Sequence, residues 1–238
     1  MRQHPLLPNL NLNLRVGDSL VQEIGGISFN LRTNNLKNHL KKKLDDLKQE
    51  KRKYFENSPT AKFKTPEEVK EEEVRLFEEI IDERVESLAT DTQVYEHNIK
   101  MARSQKTFEG EQIIEEKKVK ENKVRIDENN AEILKLTGVR NHLEDPEKRP
   151  FVWDIDFAEI FSDKEGFDIV IGNPPYVRQE MISPPNCAKS DLTKELKKEY
   201  KEKLIRSVRE RFPTVSKIDK KADYYNYFYF HGLSPFYF

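Results

Sequence analysis

The segment with the clearest chemical meaning is Asn173-Pro174-Pro175-Tyr176, which directly follows the apolar run 167–172. A short apolar run that ends in Gly predicts a buried strand of a parallel sheet, and ligands of open α/β sheets bind at the carboxyl ends of such strands. The prolines stiffen the turn, and the first of them restricts Asn173 to an extended conformation. The turn therefore holds an amide side chain, a backbone carbonyl and an aromatic ring close together.

This arrangement suits the exocyclic amine of a base such as adenine, whose nitrogen lone pair is delocalised into the ring. The side-chain oxygen of Asn173 and the carbonyl oxygen of Pro174 can accept the two amine hydrogens, which biases the lone pair toward an electrophile. Catalysis then depends on positioning and electrostatics rather than on a strong base. Tyr176 can stack on a base that has left the duplex and offset the energy of its extrusion.

Residues 167–180 resemble the catalytic region of N6-adenine DNA methyltransferases in bifunctional type IIG restriction–modification enzymes. Residues 12–20 resemble the family strand whose acidic residue binds the cofactor adenine, and residues 221–228 resemble the acidic–aromatic helix start beside the target base. The resemblance implies a Rossmann-like α/β methyltransferase sheet interrupted by a long, charged helical insertion. It also implies S-adenosyl-L-methionine as the cofactor and a specific site in double-stranded DNA as the substrate.

The same resemblance assigns roles to individual residues, with no metal ligand among them. The catalytic turn consists of Asn173, Pro174, Pro175 and Tyr176. The cofactor is bound by Asp18. The residues that contact the substrate are Tyr176, Arg178, Asp223 and Tyr224. Simpler alternatives stay open, since Asp18 can serve only as a cap, Asp223 can favour a helix N-terminus, and Arg178 can be solvated.

The elements that must position this turn differ in composition along the chain. Of the 24 aromatic residues (14 Phe, 1 Trp and 9 Tyr), 17 lie from Phe151 onward, whereas residues 31–149 are dominated by charged and amide side chains. Two prolines in residues 145–150 mark the boundary. We therefore divide the chain into a strand and turn of the methyltransferase domain (1–30), a helical insertion (31–150) and the catalytic part (151–238).

Apolar spacing in the insertion predicts antiparallel helices in a hairpin or small bundle. A first helix is predicted from Leu36, Leu40, Leu44 and Leu47, and it ends at Asn57-Ser58-Pro59. The next begins with a capping box formed by Thr65 and Glu68, and its stripe is Val69, Leu76, Phe77, Ile80, Ile81, Val85 and Leu88. A third has a heptad seam at Val119, Ile126 and Ile133. Outside the insertion, residues 10–16 predict a strand, and residues 189–211 and 222–233 predict helices.

The glycines set an expectation about completeness. The chain has eight glycines and no Gly-x-Gly, whereas the resembled family binds the methionine end of its cofactor with a Gly-rich loop. We expect a fragment that lacks this loop and the target recognition domain, has little activity alone, and depends on a further polypeptide for both. Alternatives are a helical interaction protein, an inactive remnant, or a protein-glutamine or RNA methyltransferase with the same turn.

The composition excludes several other classes. Its 42 basic and 43 acidic residues give a net charge of −1, which argues against a uniformly cationic nucleic-acid-binding protein. The single cysteine, Cys187, excludes a disulfide scaffold and a cysteine-rich zinc site. No apolar stretch approaches the roughly 20 residues that span a bilayer. We expect a soluble, cytoplasmic protein.

Overall fold

The computed structural model describes residues 10–24, 27–28, 36–104, 115–145, 148–161, 166–185, 187–215, 217–219 and 221–233. The helices in these residues are α1 (Leu10–Asn13), α2 (Asn38–Phe55), α3 (Pro66–Ser104), α4 (Glu116–Arg140), α5 (Trp153–Asp156), α6 (Lys194–Arg211) and α7 (Tyr224–Leu233). Short 3₁₀ turns lie at Gln179–Met181 and Lys189–Asp191, and strands β1 (Glu23–Ile24) and β2 (Ile27–Ser28) pair with each other.

The chain divides into two compact units. The first contains the described residues of 1–23, 28–73 and 150–238, and the second contains those of 24–27 and 74–149. Helix α2 and the start of α3 therefore belong to the first unit, together with the aromatic-rich C-terminal region. The second unit contains the remainder of α3 and all of α4.

Helix α2 buries the predicted leucine face and ends where the sequence indicates. Leu40, Leu44 and Leu47 are buried on it. Asn57 follows the helix in the left-handed conformation, with φ of 53°, which Asn tolerates better than most residues. The Asn57 N–H donates to Tyr54 O at 3.0 Å, and the Ser58 N–H donates to Lys53 O at 2.9 Å. These two bonds form a Schellman motif, which confirms the predicted stop.

Helix α3 begins with the predicted cap, but the reciprocal bond differs. Thr65 Oγ1 accepts a hydrogen bond from the Glu68 N–H at 3.3 Å. The Glu68 carboxylate accepts from the N–H of Lys64, at 2.5 Å, rather than from that of Thr65. Both bonds satisfy backbone donors near the helix start, as a capping box does, with the second displaced by one residue.

The second unit is the antiparallel helical hairpin that the sequence predicts. Arg84 Nε on α3 donates to Glu132 Oε1 on α4 at 2.8 Å. Farther along, Arg140 binds both oxygens of Asp82 at 2.7 and 3.1 Å. From the first pair to the second, the residue number increases on α4, from 132 to 140, and decreases on α3, from 84 to 82. The two helices therefore run antiparallel. Of the predicted heptad seam, Val119 is buried and Ile126 and Ile133 are half-buried.

A core in the first unit packs α6 and α7 against residues 20–21. Thr193 caps α6 by accepting from the Leu196 N–H at 3.1 Å. The buried face of the helix has i, i+4, i+8 spacing and consists of Tyr200, Leu204 and Val208. Members of the core from other segments are Leu20, Val21, Ile182, Ile218 and Tyr227.

The same unit contains a buried ionic cluster. Lys51 Nζ on α2 lies 2.8 Å from Glu73 Oε1 on α3 and 2.9 Å from Glu159 Oε2. It also donates to the carbonyl oxygen of Asp156 at 2.9 Å. Arg15 binds both carboxylate oxygens of Glu73, at 2.6 and 3.0 Å. The cluster therefore joins α2 and the start of α3 to the segments before and after them.

Two predicted strands are not found in the described residues. Residues 10–13 form helix α1 rather than a strand, and residues 14–16 have no regular structure, so the strand prediction for 10–16 is wrong. Residues 167–172 also lack regular structure, and Ile169 and Ile171 are 75% and 92% exposed. A buried strand needs strands on both sides, and β1 and β2 pair only with each other in the part of the chain described. The α/β methyltransferase sheet stays a prediction.

Candidate functional site

The four-residue segment 173–176 forms a tight turn that displays Tyr176. The Val177 N–H donates to Pro175 O at 2.9 Å, which closes a three-residue turn with Tyr176 at its apex. The Tyr176 side chain is 87% exposed. Asn173 is exposed and Pro174 is half-buried. The amide of Asn173 and the ring of Tyr176 are thus available to a ligand.

The loop after this turn is fixed to the start of α7 by two of the predicted substrate residues. The backbone N–H of Tyr224 donates to Val177 O at 3.1 Å. The Asp223 carboxylate accepts from the Gln179 N–H at 2.9 Å. Asp223 precedes α7 directly, yet its side chain binds the loop rather than only the helix end. Asp223 and Tyr224 therefore position the residues that follow Tyr176.

Asp18 caps a turn and also contacts a distant tyrosine. Its Oδ1 accepts from the N–H groups of Leu20 and Val21 at 2.9 and 3.1 Å, and its Oδ2 accepts from the Tyr200 hydroxyl at 2.7 Å. A Cβ at Gly17 would collide with the Cβ of Phe151, so only glycine allows this close approach. An ionised carboxylate offers about four acceptor positions, and the three bonds from described residues leave about one of them for a ligand.

Tyr200 is a site residue that sequence reasoning missed. Its hydroxyl lies 3.0 Å from that of Tyr224 and so joins Asp18 to the start of α7. Burial, followed by the negative charge of Asp18, raises the pKa of Tyr200 above its usual range. Burial also raises the pKa of Tyr224. Both hydroxyls therefore stay protonated at neutral pH. The only signal in the sequence is the i, i+4, i+8 spacing of Tyr200 with Leu204 and Val208, which indicates burial but no partner.

An aromatic cleft of about 540 Å³ adjoins the turn, within the range of small-molecule sites. Pro174 lines it from the turn, and Ser19 and Leu20 line it from the segment after Asp18. Its rings include those of Trp153, Phe161, Phe167, Phe228 and Tyr229. The cleft therefore lies beside two of the segments that the sequence assigns to function, and its walls suit a flat, apolar ring.

His231 lines the same cleft and is neutral. Ser207 donates its hydroxyl hydrogen to Leu20 O, so Ser207 Oγ can only accept at its 3.0 Å contact with His231 Nε2. The proton therefore lies on Nε2. Burial, followed by the charge of Arg211, lowers the pKa of His231 to about 3. Among the described residues, Nδ1 of this histidine has no hydrogen-bond partner.

Arg178 is an exposed predicted site residue on the loop that follows the turn. It lies directly before the 3₁₀ turn Gln179–Met181, and its side chain is exposed. The structure thus links Asp18 to Tyr224 through Tyr200 and binds Asp223 to the loop at Gln179. Asn173, Tyr176 and Arg178 are exposed. Contact of Arg178 with a phosphate stays a prediction.

Residues 18–235 match a family model described as Eco57I restriction-modification methylase. The match begins at Asp18 and runs through the helical hairpin and the turn at 173–176. This chain belongs to the Eco57I restriction-modification methylase family. No curated protein and no solved structure gives a significant match. Among the described residues, no helix is both long enough and apolar enough to cross a membrane.

Proposed function

We propose that this chain acts in an N6-adenine DNA methyltransferase of the type IIG kind, which methylates an adenine turned out of a specific site in double-stranded DNA. The observation that carries the proposal is the exposed Asn173–Tyr176 turn beside an aromatic cleft, in a member of a restriction–modification methylase family. A turned-out base needs a pocket and a ring on which to stack, and this region offers both.

The turn's own groups do the chemical work in this proposal. Asn173 Oδ1 and Pro174 O accept hydrogen bonds from the two N–H groups of the adenine amine. These bonds orient the nitrogen lone pair. Tyr176 stacks on the base and holds it outside the duplex. The proline-stiffened turn keeps these groups in place, so little reorganisation accompanies the reaction. Arg178 is exposed on the following loop and can contact a phosphate.

The described residues also fit S-adenosylmethionine. Asp18 has about one acceptor position left for an amine or hydroxyl of the cofactor, and Ser19 and Leu20 continue from it into the aromatic cleft. Trp153, whose Nε1 donates to Ser19 O at 3.1 Å, gives an apolar wall for the adenine part of the cofactor beside this segment, while the part of the cleft that Pro174 lines is left to the target base. When bound, S-adenosylmethionine would supply the electrophilic methyl group and leave as S-adenosylhomocysteine, and one proton of the adenine amine would pass to solvent.

The test is methyl transfer by the purified chain with isotope-labelled S-adenosylmethionine. Unmethylated plasmid DNA, total RNA and a protein extract are offered separately, and the products are digested and identified by mass spectrometry. Because the chain is expected to have little activity alone, we expect a low level of labelled N6-methyladenine in DNA that falls to background in Asn173→Ala, since catalysis here depends on groups that are already oriented toward the amine. Asn130→Ala, on the exposed surface of α4, is the matched control and keeps wild-type activity.

Other products would contradict the proposal in identifiable ways. Label in glutamine or in RNA would indicate a different acceptor for the same turn. N4-methylcytosine would keep DNA as the substrate but reject adenine. No transfer to any acceptor, in a preparation that unfolds cooperatively, would favour an interaction role for the helices.

A further inference from the structure

Hydrogen bonds connect the two segments on which the predicted cofactor and substrate residues lie. Tyr200 donates its only hydroxyl hydrogen to Asp18 Oδ2 at 2.7 Å. At the 3.0 Å contact between the two tyrosine hydroxyls, Tyr200 can therefore only accept, and Tyr224 is the donor. These hydrogen bonds therefore run in one direction, from the Tyr224 hydroxyl through the Tyr200 hydroxyl to the Asp18 carboxylate. Bonds in such a chain polarise one another, so a change at one end alters the other.

Backbone hydrogen bonds connect Tyr224 to the turn. The N–H of Tyr224 binds the carbonyl oxygen of Val177 at 3.1 Å, and the N–H of Val177 closes the turn on Pro175 at 2.9 Å. The carboxylate of Asp223 holds the next part of the loop through Gln179. A shift of Tyr224 therefore moves Val177, which is the closing residue of the turn that displays Tyr176.

The hydroxyl of Tyr200 does more than its packing requires. Its ring lies in the core with Leu204 and Val208, and a phenylalanine ring would fill the same space. A buried hydroxyl is unfavourable unless it is paired, and here both of its partners belong to functional segments. A ligand that donates to the remaining acceptor position of Asp18 competes for the same negative charge and changes the bond to Tyr200.

We propose that Tyr200 is a positioning residue, whose hydroxyl transmits the state of the Asp18 carboxylate to the turn that presents Tyr176. The inference rests on the proposed function insofar as the donor at Asp18 is S-adenosylmethionine. Binding of the cofactor then orders the turn before the base arrives. The hydrogen-bonded connection from Asp18 to the turn involves only residues of this protein, so it can be tested without methyl transfer.

The first experiment needs no ligand. Amide hydrogen exchange is measured at Val177 and Gln179 in the full chain, in D18N, in Y200F and in the double variant. Asn retains the oxygen that caps Leu20 and Val21 but removes the charge that Tyr200 binds. We expect D18N to speed exchange at both amides by about ten-fold, the effect of one hydrogen bond to a charged group. In a chain that already carries Y200F, adding D18N does not change the exchange rates of these two amides further.

The second experiment adds S-adenosylmethionine, with binding measured by calorimetry. Cofactor at saturation slows exchange at Val177 and Gln179 by about ten-fold in the wild-type chain, a typical coupling between sites. In Y200F the cofactor binds with a dissociation constant within about three-fold of wild type, while the slowing is lost. The control is Y95F, which removes a tyrosine hydroxyl from α3 in the second unit. In Y95F the cofactor still slows exchange at both amides.

The outcomes separate this proposal from the proposed function. Unchanged exchange in D18N, or additive effects of D18N and Y200F, would overturn the role of Tyr200 whether or not the cofactor binds. Tight cofactor binding that D18N leaves intact would reject the cofactor role of Asp18 but not the link. If Y200F speeds exchange equally throughout the first unit, including the amides of α2, the hydroxyl serves general stability and the proposal is wrong.

Discussion

The two units of the chain use charged side chains in opposite ways. In the first unit, Lys51 and Glu73 have no exposed side-chain surface at all and form one cluster with Arg15 and Glu159. In the second unit, the pairs between α3 and α4, such as Arg140 with Asp82, lie at the surface. Buried charges fix a single arrangement, because none of them can lose its partner without a large cost. Surface pairs are exchangeable, so the hairpin depends on its apolar seam.

The largest expected effect is the loss of Lys51. We expect Lys51→Met to lower the free energy of unfolding by about 3–5 kcal/mol, because Glu159 and Glu73 both lose a buried cation, although Glu73 still binds Arg15. The measurement is urea unfolding followed by far-UV circular dichroism. A double variant, Lys51→Met with Glu159→Leu, recovers part of the loss, because Glu73 keeps its two bonds to Arg15. A destabilisation below about 1 kcal/mol for Lys51→Met would place this cluster with the surface pairs.

A second effect depends on pH and also belongs to the buried chemistry of the first unit. The pKa of His231 is lowered to about 3 by burial, whereas in the unfolded chain it is about 6.5. The unfolded state therefore binds a proton first as the pH falls, and stability is lost between about pH 6.5 and pH 3. The limiting slope is about 1.4 kcal/mol per pH unit.

His231→Gln is the matched variant for this pH effect, since glutamine keeps an Nε2 near Ser207 but does not titrate. The difference in unfolding free energy between the two chains should narrow as the pH falls from 7 to 4. Because both chains share every other ionisable group, the difference isolates the histidine. Parallel curves over this interval would show that His231 can be protonated in the folded state.

A smaller effect is expected at Asn57, where the backbone rather than a charge carries the cost. The positive φ of 53° is unfavourable for residues with a Cβ, by about 1–2 kcal/mol, and less so for Asn. Asn57→Ala should lower the melting temperature, whereas Asn57→Gly should leave it unchanged or raise it slightly. Equal effects of the two variants would mean that the Asn side chain, not the left-handed conformation, ends α2.

The smallest effect is expected in the second unit. Arg140→Ala removes the two bonds to Asp82, and exposed pairs of this kind contribute about 0–1 kcal/mol. The check is chemical denaturation at low and at high salt, because added salt should reduce the difference from wild type further. A loss as large as that of Lys51→Met would remove the contrast between the two units.

The sequence predicts well what depends on neighbouring residues. The leucine spacing of α2, the Asn57 stop and the Thr65 cap are local patterns, and each is found where the sequence places it. The site depends on distant partners and was predictable only in part. Tyr200 meets Asp18 across 182 positions of the chain, and no local pattern encodes that contact. Residues 167–172 lack regular structure. A continuous apolar run indicates a strand but does not identify the neighbours with which it must pair, so the sheet stays a prediction.

The display of Tyr176 at the apex of its turn has a consequence for the entropy of binding. Two prolines and the bond from Val177 to Pro175 limit the backbone freedom of this segment before any base arrives. A flexible loop would lose about 1–2 kcal/mol of conformational entropy for each residue ordered on binding, and this turn has already met that cost during folding. The tyrosine ring has only two side-chain torsions left to settle, so most of its stacking energy can appear as affinity for the base that we propose it binds.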